Sequence, residues 1–138
     1  MSTPNSVDSA TRERLLQSAR EAALKAYAPY SKFRVGAAVL GARDIHTGVN
    51  VENASYGLTL CAERSALSAA VVSADRPIRA VAIACIDAPP DSSPGSFMPC
   101  GACRQWLAEL APDALLLIAG TPRDYTVSEL LPLPFTLE

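Results

Sequence analysis

The chain carries the sequence RAVAIACI at residues 79–86, and only its first residue is polar. A continuous apolar run of this length is typical of a strand that is buried on both faces of its sheet. A second run of the same character, ALLLIA, occupies residues 114–119. Strands of this kind predict a layered α/β domain, with helices covering the sheet.

The segments around these runs alternate between helical and extended patterns. Residues 33–41 and 45–51 are predicted to form a β-hairpin with a turn at 42–44, which makes the sheet mixed rather than parallel. Apolar spacing and helix breakers predict helices over residues 9–26, 61–73, 101–110 and 127–131. Residues 87–99 contain four prolines and three serines and are predicted to be a loop.

Length and composition narrow the class of protein. A chain of 138 residues with 49% apolar and 19% charged residues predicts one compact domain, over residues 9–138, after a flexible tail at 1–8. No apolar run approaches the roughly 20 residues that cross a bilayer, and the polar N-terminus lacks a secretory pattern. A cytoplasmic protein without membrane contact is expected. The net charge of −2 argues against a nucleic-acid partner.

Three cysteines stand at the starts of predicted helices. Cys61 opens one helix, and Cys100 and Cys103 open another with i, i+3 spacing, which places both sulfurs on one side of the first turn. In a reducing compartment such a pair is half of a metal site or a redox pair. Three thiolates with a vacant fourth position form the pattern of a catalytic zinc site, whereas a structural site needs four protein ligands.

The two other candidate ligands have simpler interpretations. Cys85 lies inside the apolar run and is predicted to be a small buried hydrophobic residue. His46, the only histidine, is predicted to be a solvated turn residue. A structural zinc module that mediates protein contacts, and a thiol–disulfide enzyme, remain the alternatives to a zinc hydrolase.

Three charged residues adjoin the cysteines. Glu63 follows Cys61 by two residues, and in the first turn of a helix it can take a proton from a water molecule at the metal. Arg64 and Arg104 each follow a candidate ligand closely and are candidates to donate hydrogen bonds to the thiolates.

Cys-Ala-Glu at 61–63 with Pro-Cys-Gly-Ala-Cys at 99–103 resembles the signature of the zinc-dependent nucleoside and nucleobase deaminases. Nearly the whole chain, from about residue 12 to residue 135, is similar to the small cytidine deaminases of the homotetrameric type. The similarity is carried by residues 30–38, 48–56, 61–66, 99–105 and 129–132.

The resemblance implies a three-layer α/β/α fold with a mixed sheet of about five strands. The segment 120–125 is short for the last hairpin of this family, so an abbreviated fifth strand is expected. The resemblance also implies one zinc ion per subunit, held by Cys61, Cys100 and Cys103, and Glu63 as the proton shuttle. The implied activity is hydrolytic deamination of cytidine and deoxycytidine in pyrimidine salvage, in a homotetramer whose sites are shared between subunits. A related deaminase of another aminonucleoside, such as blasticidin, is the alternative. The implied substrate contacts are Phe33, Asn50, Glu52, the backbone N–H of Ala62, Tyr56 at the subunit contact, and Phe135 reaching a neighbouring site.

Overall fold

The computed structural model describes residues 6–137 and contains four α-helices and five strands in that range. The helices are α1 (Ser9–Ala23), α2 (Ala62–Val72), α3 (Gly101–Leu110) and α4 (Val127–Leu130). The strands are β1 (Val35–Leu40), β2 (Ile45–Val49), β3 (Ala80–Cys85), β4 (Leu115–Ile118) and β5 (Tyr125–Thr126). None of the helices in residues 6–137 combines the length and the apolar character that a membrane crossing requires.

The five strands form one mixed sheet in the order β2-β1-β3-β4-β5. β1 is antiparallel to both β2 and β3, β3 and β4 are parallel, and β5 closes the edge as a two-residue antiparallel strand. The predicted hairpin, mixed sheet and short fifth strand are therefore confirmed.

Side chains alternate between the two faces of the sheet and bury both. Ala38, Ala82 and Leu117 pack with α1 on one face. Val39, Ile83 and Leu116 pack with α2 and α3 on the other face. The central strands are consequently apolar at every position, which is why their sequences lack polar alternation. The result is the predicted arrangement of three layers.

The N-terminal helix differs from its prediction at both ends. It ends at Ala23 instead of residue 26, because the chain leaves the helix to pair Tyr27 with the end of the hairpin, where Tyr27 N–H donates to the Asn50 carbonyl at 3.0 Å. At the other end, Asp8 caps the helix by accepting from Thr11 N–H, and Val7 packs on the core. These two residues are not part of a loose tail, and residues 1–5 lie outside the described range.

The position of His46 differs from the predicted solvated turn. It lies in β2 rather than in the turn, its side chain is only 11% exposed, and its Nε2 is 2.8 Å from an Asp75 carboxylate oxygen. Asp75 is itself buried and also accepts from the backbone N–H groups of Arg43 and Asp44. His46 is therefore a partner of a buried carboxylate that joins the hairpin turn to the segment after α2.

Candidate active site

The three cysteines meet where two helices begin. Cys61 is the N-cap of α2, Cys100 is the N-cap of α3, and Cys103 lies in the first turn of α3. Neither N-cap side chain makes a capping hydrogen bond to the backbone of its own helix, and all three sulfurs lie within 4.8 Å of one another. The unpaired N–H groups and the dipoles of the two helices favour negative charge there. The local sequence thus builds a place where thiolates are stable.

The spacing of the sulfurs fits a zinc ion. Cys100 Sγ lies 3.7 Å from Cys61 Sγ and 3.4 Å from Cys103 Sγ, and all three sulfurs lie within 4.8 Å of one another. Tetrahedral bonds of about 2.3 Å from zinc to sulfur place the sulfurs roughly 3.8 Å apart. All three residues are free cysteines. Within residues 6–137 no histidine, further cysteine or acidic group joins them, which is the ligand pattern of catalytic zinc.

Arg64 supplies positive charge to this cluster. Its Nη2 lies 3.3 Å from Cys61 Sγ and donates to the Thr59 carbonyl at the same distance. Hydrogen bonds from the Cys103 thiol and from Arg64 lower the pKa of Cys61 to about 5. The Nε of Arg64 is buried and has no hydrogen-bond partner in the described part of the chain. A charged thiolate group would satisfy that donor, so Arg64 also fits a metal-loaded cluster.

Glu63 stands beside the cluster in a small cavity. The cavity has a volume of about 110 Å³ and is lined by Cys61, Ala62 and Glu63 at its α2 end. The Glu63 side chain belongs to a residue that is only 5% exposed, and burial raises the pKa of its carboxyl group to about 7. A carboxyl group with such a pKa can both accept and release a proton near neutral pH. Ala62, the first residue of α2, has a backbone N–H without an acceptor inside the helix.

The opposite wall of this cavity was not predicted from the sequence. Its additional lining residues come from the ends of β1 and β3 and from the loop before α3: Val35, Ile83, Cys85, Ser96, Phe97 and Met98. Cys85 is a wall residue rather than a ligand, and burial raises the pKa of its thiol to about 12, so it stays neutral. The available signal was the period of two along β3, which puts Ile83 and Cys85 on the face that carries α2 and α3.

Asn50 and Phe33 line the same cavity, and the Asn50 side chain bonds to the backbone of Phe33 and Val35. Asn50 Oδ1 accepts from the Val35 N–H at 2.8 Å, and its Nδ2 donates to the Phe33 carbonyl at 2.8 Å. These two bonds fix the position of Phe33 at the cavity wall. An amide side chain has two donor hydrogens and two acceptor lone pairs, so Asn50 retains one of each for a ligand.

Glu52 and Tyr56 lie outside this cavity, in a shallower depression of about 360 Å³ that also includes Tyr30 and Ser31. Glu52 accepts from the backbone N–H groups of Tyr30 and Ser31 at 3.0 and 3.1 Å and from the Ser31 hydroxyl. The Ser31 hydrogen bonds hold the pKa of Glu52 below its ordinary value. Tyr56 is 75% exposed and contacts Tyr30 edge to face. The single chain does not bring these two residues to Glu63.

Arg104 and Phe135 have other surroundings than the sequence predicted. The Nε of Arg104 donates to the Pro99 carbonyl at 2.8 Å and its Nη1 donates to the Leu130 carbonyl at 3.0 Å, so its observed partners are backbone oxygens rather than sulfurs. Phe135 is 68% exposed, and its carbonyl accepts from the Gln105 side chain at 2.9 Å. Its ring lines neither of the two depressions described above.

The comparisons with known proteins all indicate the same family. The family model described as "Cytidine and deoxycytidylate deaminase zinc-binding region" matches residues 9–119. A cytidine deaminase of Halalkalibacterium halodurans is 45% identical over 133 residues, which cover 92% of this chain and 96% of that protein. A cytidine deaminase of Mycobacterium tuberculosis is 45% identical over 122 residues, which cover 87% of this chain and 86% of that protein.

Solved structures show the same fold. The crystal structure of cytidine deaminase from Mycobacterium tuberculosis matches with a TM-score of 0.78 and 38% identity, over 96% of this chain and all of that one. The structure of cytidine deaminase from Burkholderia pseudomallei matches with a TM-score of 0.77 and 41% identity, over 89% of this chain and 98% of that one. The five-stranded mixed sheet with its flanking helices is therefore shared with these proteins.

Proposed function

The chain belongs to the cytidine and deoxycytidylate deaminase family, and we propose that it hydrolyses the 4-amino group of cytidine and deoxycytidine to give uridine or deoxyuridine and ammonia. The observation that carries the proposal is the convergence of Cys61, Cys100 and Cys103 beside the cavity that Glu63 lines. Zinc, held by these three sulfurs, supplies Lewis-acid activation of a water molecule when it is bound.

Glu63 performs the proton transfers in this proposal. Its carboxylate takes a proton from the attacking water as the C4–O bond forms, and delivers it to ring N3. It then carries the second proton of the former water to the amine as the C4–N bond breaks, so ammonia leaves and the carboxylate is restored. Its burial beside Cys61 supports this role, because few bulk water molecules compete for the proton.

The pyrimidine base and the sugar occupy different places. The cavity of about 110 Å³ is far smaller than the roughly 300–1,000 Å³ of sites for drug-sized ligands, so it takes the base alone. Phe33 packs on the ring, the Ala62 N–H donates to the base carbonyl, and Asn50 uses its remaining donor and acceptor. Glu52 binds the sugar hydroxyls from the adjoining depression, where its carboxylate already accepts from hydroxyl and amide donors.

The active form in this proposal is a homotetramer, in which Tyr56 lies at a subunit contact and Phe135 reaches a neighbouring site. Both aromatic rings are exposed in the single chain, which supports their use in a contact. We place the enzyme in the cytoplasm and in pyrimidine salvage, with residues 9–138 as one deaminase domain. Free cysteines support a reducing compartment, and the net charge of −2 supports a nucleoside over a polynucleotide.

The alternatives have less support from the structure. A structural zinc module needs a fourth protein ligand, and none of the described residues supplies one. A thiol–disulfide enzyme does not account for a buried Glu63 beside the sulfurs. A deaminase of blasticidin-like compounds shares the chemistry and differs only in how the sugar is bound, so substrate comparison separates it.

The test is an ultraviolet assay on protein of known zinc content, with cytidine, deoxycytidine, blasticidin and single-stranded DNA as substrates. We expect loss of the cytosine absorbance with both nucleosides, in proportion to bound zinc. Turnover should stop after removal of zinc by a chelator and return when zinc is added back. Zinc-loaded protein that deaminates neither nucleoside would contradict the proposal.

A further inference from the structure

Arg104 joins two segments that are remote in sequence. Its Nε donates to the carbonyl of Pro99, the residue before Cys100, at 2.8 Å. Its Nη1 donates to the carbonyl of Leu130, the last residue of α4, at 3.0 Å. One guanidinium group therefore bonds the loop that carries a zinc ligand to the C-terminal part of the chain.

Each of the two carbonyl groups needs a donor that the adjoining backbone does not provide. Pro99 is almost fully buried, and a buried carbonyl without a partner is costly. The Leu130 carbonyl lies at the C-terminal end of α4, where carbonyl groups have no N–H donor inside the helix. The planar guanidinium presents several N–H donors in a fixed geometry and serves both carbonyl groups from two different nitrogen atoms, whereas the three donors of an ammonium group all lie on one nitrogen atom.

The next residue makes a second, separate link. Gln105 donates from Nε2 to the Phe135 carbonyl at 2.9 Å. The first turn of α3 thus holds the C-terminal segment at residues 130 and 135, but only the Arg104 link also reaches the residue beside Cys100. The two links can be cut separately by substitution.

We propose that Arg104 is a positioning residue of the zinc centre, which holds the backbone at Pro99 and Cys100 against the end of α4 and so keeps the Cys100 thiolate in place for the metal. Cys100 is the most exposed of the three cysteines, so its position depends most on the loop that carries it. Arg104 acts through the backbone and does not touch the reacting atoms.

The experiment measures how fast zinc passes from the loaded protein to an excess of a coloured chelator, well below the unfolding temperature. Arg104→Met removes both hydrogen bonds, and Arg104→Lys keeps the positive charge but donates from a single nitrogen atom. Gln105→Ala is the matched control in the same helical turn, and Leu16→Ala lowers stability from the opposite face of the sheet.

We expect release from Arg104→Met to be about tenfold faster than from the wild type or more, with Arg104→Lys in between. Both controls should release zinc at the wild-type rate.

Cobalt substitution gives a second readout. The sulfur-to-cobalt absorption bands of Arg104→Met should shift in energy or intensity, and those of Leu16→Ala should not. Release from both Arg104 variants within twofold of the wild type, or no faster than from Leu16→Ala, overturns the proposal. If Arg104→Met does not fold, Arg104→Lys against Gln105→Ala decides. The inference rests on the zinc site of the proposed function, but release is measured without substrate, so failure of cytidine turnover is a separate result.

Discussion

At the scale of single residues, the site depends on a carboxyl group that is held away from water. Glu63 is in the first turn of α2, directly after Ala62, which also lines the cavity, and two residues after Cys61. Burial raises the pKa of its carboxyl group to about 7, although hydrogen bonds from its own backbone N–H and from the Cys103 thiol favour the charged form. It is therefore free to exchange protons with whatever occupies the cavity.

The substitution Glu63→Gln tests this role. The amide retains the shape of the side chain and cannot take up a proton, so we expect turnover of cytidine to fall by about 10²–10⁴-fold or more. Zinc content should stay at one ion per chain, because the three sulfurs are unchanged. Metal analysis and the ultraviolet assay on the same sample check both expectations, and a variant that deaminates cytidine at a comparable rate would remove Glu63 from the mechanism.

Two arginines show what sequence spacing can and cannot predict at this scale. Arg64 and Arg104 both closely follow a cysteine, so the sequence predicted contact with sulfur for both. Arg64 donates to Cys61 Sγ, whereas Arg104 donates to the Pro99 and Leu130 carbonyls. The difference arises because α4 packs beside α3 and places the Leu130 carbonyl near Arg104. The sequence around residue 104 contains no pattern that predicts this contact.

At the scale of secondary-structure elements, the ion pair between Arg34 and Asp87 connects β1 and β3 at the wall of the cavity. Arg34, just before β1, donates to the Asp87 carboxylate from its backbone N–H, its Nε and its Nη2 at 2.8, 2.9 and 2.9 Å. Asp87 follows β3 and begins the loop that ends at the zinc ligands. The pair thus holds together the start of β1 and the end of β3, where Val35 and Cys85 line the cavity.

The hydrogen bonds from Arg34 lower the pKa of Asp87 from 3.8 to about 2, which makes the ion pair sensitive to acid. Because the folded state binds the proton less readily, its stabilising effect is complete above about pH 5 and is lost as the pH falls through 4 toward 2. We expect Asp87→Asn to be less stable than the wild type at pH 7 and the difference to shrink by pH 3. Urea unfolding at both pH values checks this, and a pH-independent difference would contradict it.

The contact between β2 and α2 sets the position of the helix that carries Cys61 and Glu63. Gly48 lies so close to α2 that a methyl group there would stand 2.3 Å from the Ala66 nitrogen and 2.7 Å from the Ala62 carbonyl oxygen. Both neighbours are backbone atoms, which cannot move without moving the helix.

We expect Gly48→Ala to destabilise the fold by about 2 kcal/mol or more and to lower zinc retention and turnover together. Gly95→Ala is the matched control, because a methyl group there meets no atom within 4 Å. Thermal unfolding and zinc analysis of both variants give the comparison. Equal behaviour of the two alanine variants would show that α2 is not held by this contact.

At the scale of the whole molecule, large apolar side chains remain exposed on the single chain. Tyr56, Leu58 and Phe135 are more than two-thirds exposed, as are Val72, Leu133 and Leu137. Exposed apolar groups in this number favour association with further subunits. We expect sedimentation at micromolar concentration to give four times the chain mass of 14.5 kDa, with activity confined to that species. Full activity in a monomer would contradict the proposed sharing of sites.

The sequence predicted the layers of the fold because the buried strands and the helix boundaries have local causes. Residues 101–110 were assigned as a helix with the bounds that the structure shows, since Pro99 and Gly101 mark its start. The cavity wall depends instead on strand pairing, such as Val35 opposite Cys85, and on a loop turning back over the sheet. The pattern of a single sequence shows neither the strand pairing nor the path of the loop. About half of the residues that line the cavity were therefore not predicted.

The central claim, three sulfur ligands and an open position beside Glu63, is tested most directly by X-ray absorption at the zinc edge of the loaded protein. We predict three sulfur atoms at about 2.3 Å and a single oxygen or nitrogen atom that is replaced when a transition-state-like pyrimidine ligand is added. A shell of four sulfurs, or a light-atom ligand that such a compound does not displace, would contradict the account.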